Sequence, residues 1–277
     1  MSLALGAIGG CGRGCVGMSV GKLRLISTDF DGTIHEDFAD APIPESLERR
    51  IGAMQAEGSI WVINTGREMA SLMETLGRAR VRVRPDYLIL VEREIFRNDR
   101  GHYVPVEPWN TQCNQDHARL FADMAMDLPE LVEGLQARYD ATFYDDPWSP
   151  LCAIARSYAQ MDAIEAELMS FAATFPQVSV VRNDVYVRFS HVGYSKGTAL
   201  AELQRLLGIL PAETLAAGDH LNDLPMLKAR YAKHLVAPVN AVPVVKEQVL
   251  AEGGWVMDQR CGHAVEAALE RLMSGGG

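Results

Sequence analysis

The feature that most constrains the fold is a short apolar run, Leu25-Ile26-Ser27-Thr28, that stops at Asp29-Phe30-Asp31-Gly32-Thr33. A run this short that ends on acids reads as a buried strand of an open parallel α/β sheet, where ligands sit beyond the carboxyl ends of the strands. Two carboxylates so close repel each other unless a proton or a cation lies between them, and a hard divalent cation such as Mg²⁺ suits such donors. Gly32 lets the chain turn sharply and aim N–H groups at an anion, and Thr33 adds a hydroxyl. Taken alone, Asp-x-Asp-Gly is equally a solvated turn or part of a calcium loop. A calcium loop closes on a glutamate at its twelfth position, and counting from Asp29 that position holds Asp40.

Composition narrows the partners. The 277 residues suffice for one large or two moderate domains. A formal charge of −10 weighs against nucleic acid and anionic membranes as partners. No stretch approaches the roughly 20 apolar residues that span a bilayer. Cys11, Cys15, Cys113, Cys152 and Cys261 are odd in number and lack paired metal-site spacing, so they read as free or buried thiols of a reducing cytoplasm. Residues 1–17 read as a flexible glycine-rich leader, with Met18 as an alternative start. The G-x-G-x-x-G string at 12–17 precedes the first strand instead of following one, which makes it a chance match. No basic residue precedes the apolar stretch at 3–8, which argues against a secretory signal.

The rest of the chain reads as βα units with an interruption. A helix is expected over 45–57, with Leu47, Ile51 and Met54 on one face, and a strand over 60–64. That strand ends in Thr65-Gly66-Arg67, and a helix follows. A hydroxyl, a glycine and a helix start together make a phosphate seat, although Thr65 alone reads as a helix cap. After a strand at 86–91, short strands (94–96, 141–144, 151–156, 178–181, 185–189) alternate with helices (114–126, 128–139, 160–171), and Asn183-Asp184 reads as a hairpin turn. This pattern predicts an α+β unit with an antiparallel sheet at 86–191, inserted into a Rossmann-like core of 18–85 and 192–277 with helices on both faces of a parallel sheet. After 191 the βα rhythm returns: Ser195-Lys196-Gly197 opens a helix, and a strand at 214–217 ends in Gly218-Asp219-His220-Leu221-Asn222-Asp223.

Asp29-Phe30-Asp31-Gly32-Thr33, Asn64-Thr65-Gly66-Arg67, Ser195-Lys196-Gly197 and Gly218-Asp219-x-x-Asn222-Asp223 resemble the four ordered motifs of the haloacid dehalogenase superfamily. The insertion between the second and third motifs resembles the branch with a large α+β cap, which includes Cof-type and sucrose-phosphatase-like sugar phosphatases. The resemblance covers residues 22 to the end of the chain. It implies a phosphatase that acts on a small phosphorylated metabolite, with a sugar phosphate favoured. Asp29 would be the nucleophile and Asp31 the acid and base, with Thr65 and Lys196 holding the phosphoryl oxygens. Mg²⁺ would be held by Asp29, Asp31 through its backbone carbonyl, Asp219 and Asp223. Gly32, Thr33, Gly66 and Asn222 would line the phosphoryl or substrate site, and Arg182 and Arg188 are the cap candidates, since guanidinium groups suit a second phosphate or a carboxylate, although a surface salt bridge is the commoner role for either. A phosphotransferase or sugar phosphomutase would share every motif, and a non-catalytic sugar-phosphate sensor would share the fold. One departure stands out: Val91-Glu92-Arg93-Glu94 occupies the entry to the insertion, where related sugar phosphatases carry an Asn-Gly pair. Oligomeric state is not legible in the sequence.

Overall fold

The protein is described by a computed structural model over residues 22–274; the glycine-rich leader, its G-x-G-x-x-G string and Met18 lie outside the described residues. In chain order the elements are β1 (Leu25–Thr28), α1 (Glu45–Ala56), β2 (Ile60–Asn64), α2 (Met69–Arg78), β3 (Tyr87–Leu90), β4 (Glu94–Asp99), β5 (His102–Pro105), α3 (Trp109–Met124), α4 (Leu128–Arg138), β6 (Thr142–Asp146), β7 (Ser149–Ile154), α5 (Tyr158–Ala172), β8 (Val178–Asn183), β9 (Tyr186–His191), α6 (Lys196–Leu207), β10 (Thr214–Ala217), β11 (His234–Ala237), α7 (Pro243–Ala251), β12 (Trp255–Val256) and α8 (Cys261–Met273). The loop after β10 carries a single 3₁₀ turn at Leu221–Asp223.

Eight strands form one sheet in the order β12-β11-β10-β1-β2-β3-β4-β5, parallel from β12 through β3. β1 pairs with β2 on one side and β10 on the other, so the strand order reverses at β1 and opens a crevice at the carboxyl ends. Alternate residues of each buried strand serve opposite faces. Ile26, Trp61 and Ile63 pack with α1, α2 and α8, whereas Leu25 and Val62 pack with α6 and α7. This double burial is why the strands read as continuous apolar runs.

The insertion differs from expectation at its start. The sequence reading began it at 86, but β3 pairs in parallel with β2, and β4 and β5 continue the large sheet as an antiparallel edge. The side chain of Asn110 fixes this edge to α3: it accepts from the Ile95 N–H at 2.8 Å and donates to the Ile95 carbonyl at 2.9 Å. The separate sheet is β6-β7-β9-β8, and α4, α5 and the end of α3 cover one of its faces through Leu120, Leu135, Ile164, Leu168, Val187 and Phe189. The β8–β9 turn is centred on Asp184 and Val185, one residue later than expected, with Asp184 at φ 55°. Among the described residues, no helix is long and apolar enough to cross a membrane.

His117 of α3 is buried where the insertion meets the core. Its Nε2 accepts from the His191 N–H at 3.1 Å, so the ring proton sits on Nδ1 and is donated to the Cys113 carbonyl at 2.8 Å. Burial, aided by the charge of Arg93, pushes the imidazole pKa down to about 3. The neutral ring therefore stabilises the fold fully above the unfolded-state value of 6.5, and this contribution is lost as pH falls from there toward about 3. We expect urea midpoints to fall across that window, with a shallower fall in His117→Gln.

Candidate active site

Two strand ends, those of β1 and β10, bring the acids together. The Asp29 N–H extends β1 by donating to the Ala217 carbonyl at 2.9 Å, which sets Asp29 beside the Gly218-Asp219 turn. Gly218 is required here, since a Cβ would lie 2.5 Å from that of Asp223. The Asp223 carboxylate folds back on the turn and accepts from the Asp219 and His220 N–H groups at 2.8 and 2.9 Å. Its other oxygen takes the Lys196 ammonium at 2.6 Å, and Lys196 also donates to Asp29 Oδ1 at 2.7 Å. Lys196 is fully buried. It stands at the first turn of α6, whose start is set by a reciprocal Ser195–Thr198 capping box.

Asp29, Asp219 and Asp223 offer carboxylate oxygens that all lie within 4.8 Å of one another. Burial pushes Asp29 well above the ordinary carboxylate range; Asp223 adds to the rise and Lys196 opposes it. Burial and then Asp223 raise Asp219 to about 7, against the hydrogen bond from Thr33. For Lys196, burial would lower the pKa, but Asp223 and Asp29 outweigh it and raise it. One ammonium thus faces three crowded carboxylates. An oxygen-only set with this excess of negative charge fits a hard divalent cation.

Asp31 is turned the other way. Its carboxylate accepts from Arg67 Nε at 2.7 Å and Nη2 at 2.8 Å, a bidentate pair. Burial would raise Asp31, yet His35 and Arg67 hold it at about 2. Arg67 is itself fixed by Ser71 and Thr75, each 2.9 Å away. Thr65 lines the site, but the cap of α2 is Glu68, whose carboxylate accepts from the Ala70 and Ser71 N–H groups. The Thr65 hydroxyl accepts from the Arg67 N–H at 3.2 Å.

Two readings of the first motif are corrected. The Gly32 N–H, expected to face an anion, donates to the His35 carbonyl at 2.9 Å. The Thr33 hydroxyl, expected at the substrate, donates to Asp219 Oδ1 at 2.7 Å from a fully buried side chain, so it orients an acid. Gly32 still matters sterically: at φ 72° it lies so close to Asp219 that a Cβ would sit 2.3 Å from Oδ2.

A cavity of about 140 Å³ lies between the strand ends and the bare face of the smaller sheet, lined by Asp29, Thr65, Gly66, Asn222, Tyr186 and Arg188 among others. A wider groove of about 700 Å³ along 39–49 and 78–83 holds none of these acids. Arg182 takes the salt-bridge role and not the substrate one. In β8, Val181 and Asn183 line the cavity, and strand alternation sends Arg182 to the opposite face, where it pairs with Asp162 at 2.6 Å and Glu165 at 2.7 Å on α5. Arg188 lies opposite Val181 in the hairpin and does face the cavity.

The sequence reading missed Glu92 as a site residue. Its carboxylate accepts from Asn222 Nδ2 at 2.9 Å and pairs with Arg188 Nη2 at 3.0 Å, and that nitrogen also donates to the Val91 carbonyl at 2.6 Å. Val91 and Glu92 both have positive φ, 45° and 67°. A turn of this shape is where an Asn-Gly pair would be expected, and the missing pair was the signal that the position is unusual.

Known proteins resemble this chain over most of its length. The family described as sucrose-6F-phosphate phosphohydrolase matches residues 22–250. YxeH of Bacillus subtilis, named as a candidate phosphatase, is 24% identical over 250 residues, covering 81% of this chain and 90% of that protein. The solved sucrose-phosphatase of Synechocystis, in complex with sucrose and phosphate, superposes with a TM-score of 0.70 at 18% identity over 91% of this chain and 98% of that one. A haloacid dehalogenase-like hydrolase from Bacteroides thetaiotaomicron gives 0.62 at 19% identity, covering 91% and 100%. At these identities the structures share the fold.

Removing Lys196 leaves buried carboxylates uncompensated. We expect Lys196→Met to destabilise the fold by about 3–5 kcal/mol at neutral pH, less in acid where Asp29 takes up a proton, as read from denaturant unfolding.

Proposed function

The chain belongs to the sucrose-6F-phosphate phosphohydrolase family of Cof-type haloacid dehalogenase phosphatases, and from that premise we propose that it hydrolyses a small sugar phosphate through an aspartyl-phosphate on Asp29. The observation that carries the reading is the position of Asp29. Lys196 holds Oδ1, which leaves Oδ2 for attack, in a cavity roofed by the smaller sheet.

In the first step Asp29 Oδ2 forms a bond to phosphorus as the bond from phosphorus to the leaving oxygen breaks, and Asp31 supplies that oxygen with a proton. In the second, water attacks phosphorus, the bond to Asp29 breaks, and Asp31 takes the proton from the water. Asp31 is ionised while Arg67 grips it, so it delivers a proton only after turning away from the guanidinium. Lys196, with the Gly66 backbone and the Thr65 hydroxyl, offsets charge on the phosphoryl oxygens. Bound at Asp29, Asp219 and the Asp31 carbonyl, with Asp223 alongside, Mg²⁺ would screen the carboxylate nucleophile from the phosphate dianion. The smaller sheet excludes bulk water, and Arg188, held by Glu92, meets the leaving group with its remaining N–H donors. Cys113, Cys152 and Cys261 are buried free thiols, which supports a reducing, cytoplasmic setting.

Phosphate release from a panel of sugar phosphates and an aryl phosphate, with Mg²⁺ and with chelator, tests the reading. We expect Mg²⁺-dependent release that falls on the order of 10³-fold or more in Asp29→Asn with the fold retained. Undiminished release from folded Asp29→Asn would refute the mechanism, and label passing to a second sugar would make the protein a transferase. The two cap arginines should separate. Arg188→Ala raises KM on the order of tenfold, while Arg182→Ala, which breaks an ion pair on the far face, changes KM less than about twofold.

A further inference from the structure

Beside the catalytic cluster, the loop after β1 gathers a second set of donors. The His35 side chain is only 6% exposed and its ring stacks on Phe30 at 4.9 Å, which fixes the direction of Nδ1. That nitrogen is buried and has no hydrogen-bond partner. It points between two carboxylates, with Asp31 Oδ1 at 3.6 Å and Asp37 Oδ1 at 3.7 Å. Both separations are too long for hydrogen bonds. They are close to the spacing of about 3.3–3.6 Å between donors that share a tetrahedral ion at 2.0–2.2 Å. Asp31, His35 and Asp37 can each offer one ligand atom, all within 4.8 Å of one another, and the exposed Asp37 leaves the site open to solvent.

We propose that Asp31 Oδ1, His35 Nδ1 and Asp37 Oδ1 form a second cation site, distinct from the three-aspartate cluster and suited to a borderline transition-metal dication such as Zn²⁺ or Co²⁺. An imidazole nitrogen selects such ions over Mg²⁺, which prefers oxygen donors. Arg67 already donates to Asp31 Oδ1, at 2.8 Å, so the ion uses the other lone pair and the guanidinium charge keeps its binding reversible. Because Asp31 is the proposed acid and base, an ion on Oδ1 blocks proton delivery, and the site is inhibitory.

The test is a Co²⁺ titration of the full chain with Mg²⁺ present in saturating amount, read by calorimetry and by visible absorption of four-coordinate cobalt. We expect one equivalent of Co²⁺ beyond the Mg²⁺ site, with affinity at least tenfold weaker in His35→Gln and in Asp37→Asn. Asp37 is exposed, so its variant keeps the test decisive if His35→Gln fails to fold. Unchanged binding in a folded variant, or no binding beyond the Mg²⁺-saturated cluster, overturns the proposal. Turnover supplies a second readout. Zn²⁺ should inhibit without relief by added Mg²⁺, and each variant, relative to its own uninhibited rate, should need at least tenfold more Zn²⁺. Inhibition relieved by Mg²⁺ in all three proteins assigns it to the aspartate cluster and overturns the inhibitory role. Were the phosphatase reading wrong, there would be no turnover to inhibit, and the cobalt titration would still decide whether the site exists.

Discussion

The contact of the Lys196 ammonium with Asp29 and Asp223 is the interaction on which the rest of the site depends. It joins the end of β1, the start of α6 and the turn after β10 at one buried point. Close packing of backbone around it leaves little freedom. Asn64 donates to the Lys196 carbonyl at 3.0 Å, and a Cβ on Gly197 would lie 2.3 Å from the Pro225 carbonyl oxygen. A buried ion pair is costly to desolvate and weak as a source of stability. Its value here is positional, because it holds one oxygen of Asp29 and leaves the other free.

The smaller sheet adds a second level of control. One face packs on its helices and the other looks at the strand ends, so each of its strands alternates between residues that stabilise and residues that can meet a ligand. Arg188 belongs to the second group and is tied through Glu92 to Asn222, which sits in the loop after β10. The tip of the same hairpin touches that loop where the Asp184 N–H donates to His220 Nδ1 at 3.2 Å. The cavity face of the smaller sheet and the acid cluster of the large one are therefore joined through short polar contacts.

Much of this was legible in the sequence. The strand ends at Asp29, Thr65 and Asp219, and the helix start at Lys196, follow from apolar runs bounded by polar turns, a local signal. The fates of Gly32 and Thr33 were not legible, because their partners His35 and Asp219 are decided by how the loop closes. Arg182 and Arg188 show where local reading stops. They look alike along the chain, and the hairpin register that pairs Arg182 with Val187 and Arg188 with Val181 puts them on opposite faces. The edge strands β4 and β5 carry too little burial to declare which sheet they join. Glu92 was visible as a departure from pattern, but its partners are about a hundred residues away.

The central position of β1 also bears on how the protein is made. Leu25 pairs with Ile60 on one side and with Thr214 on the other. As the chain leaves the ribosome, one edge of β1 finds its neighbour early, while the other stays open until nearly two hundred more residues have been synthesised. During that interval Asp29 has neither Lys196 nor Asp219 beside it, so the nascent protein carries an unfilled strand edge but no reactive centre. Pairings this distant in sequence are slow to close. The insertion, a sheet with its own helices, is synthesised in full before the core receives its last strands.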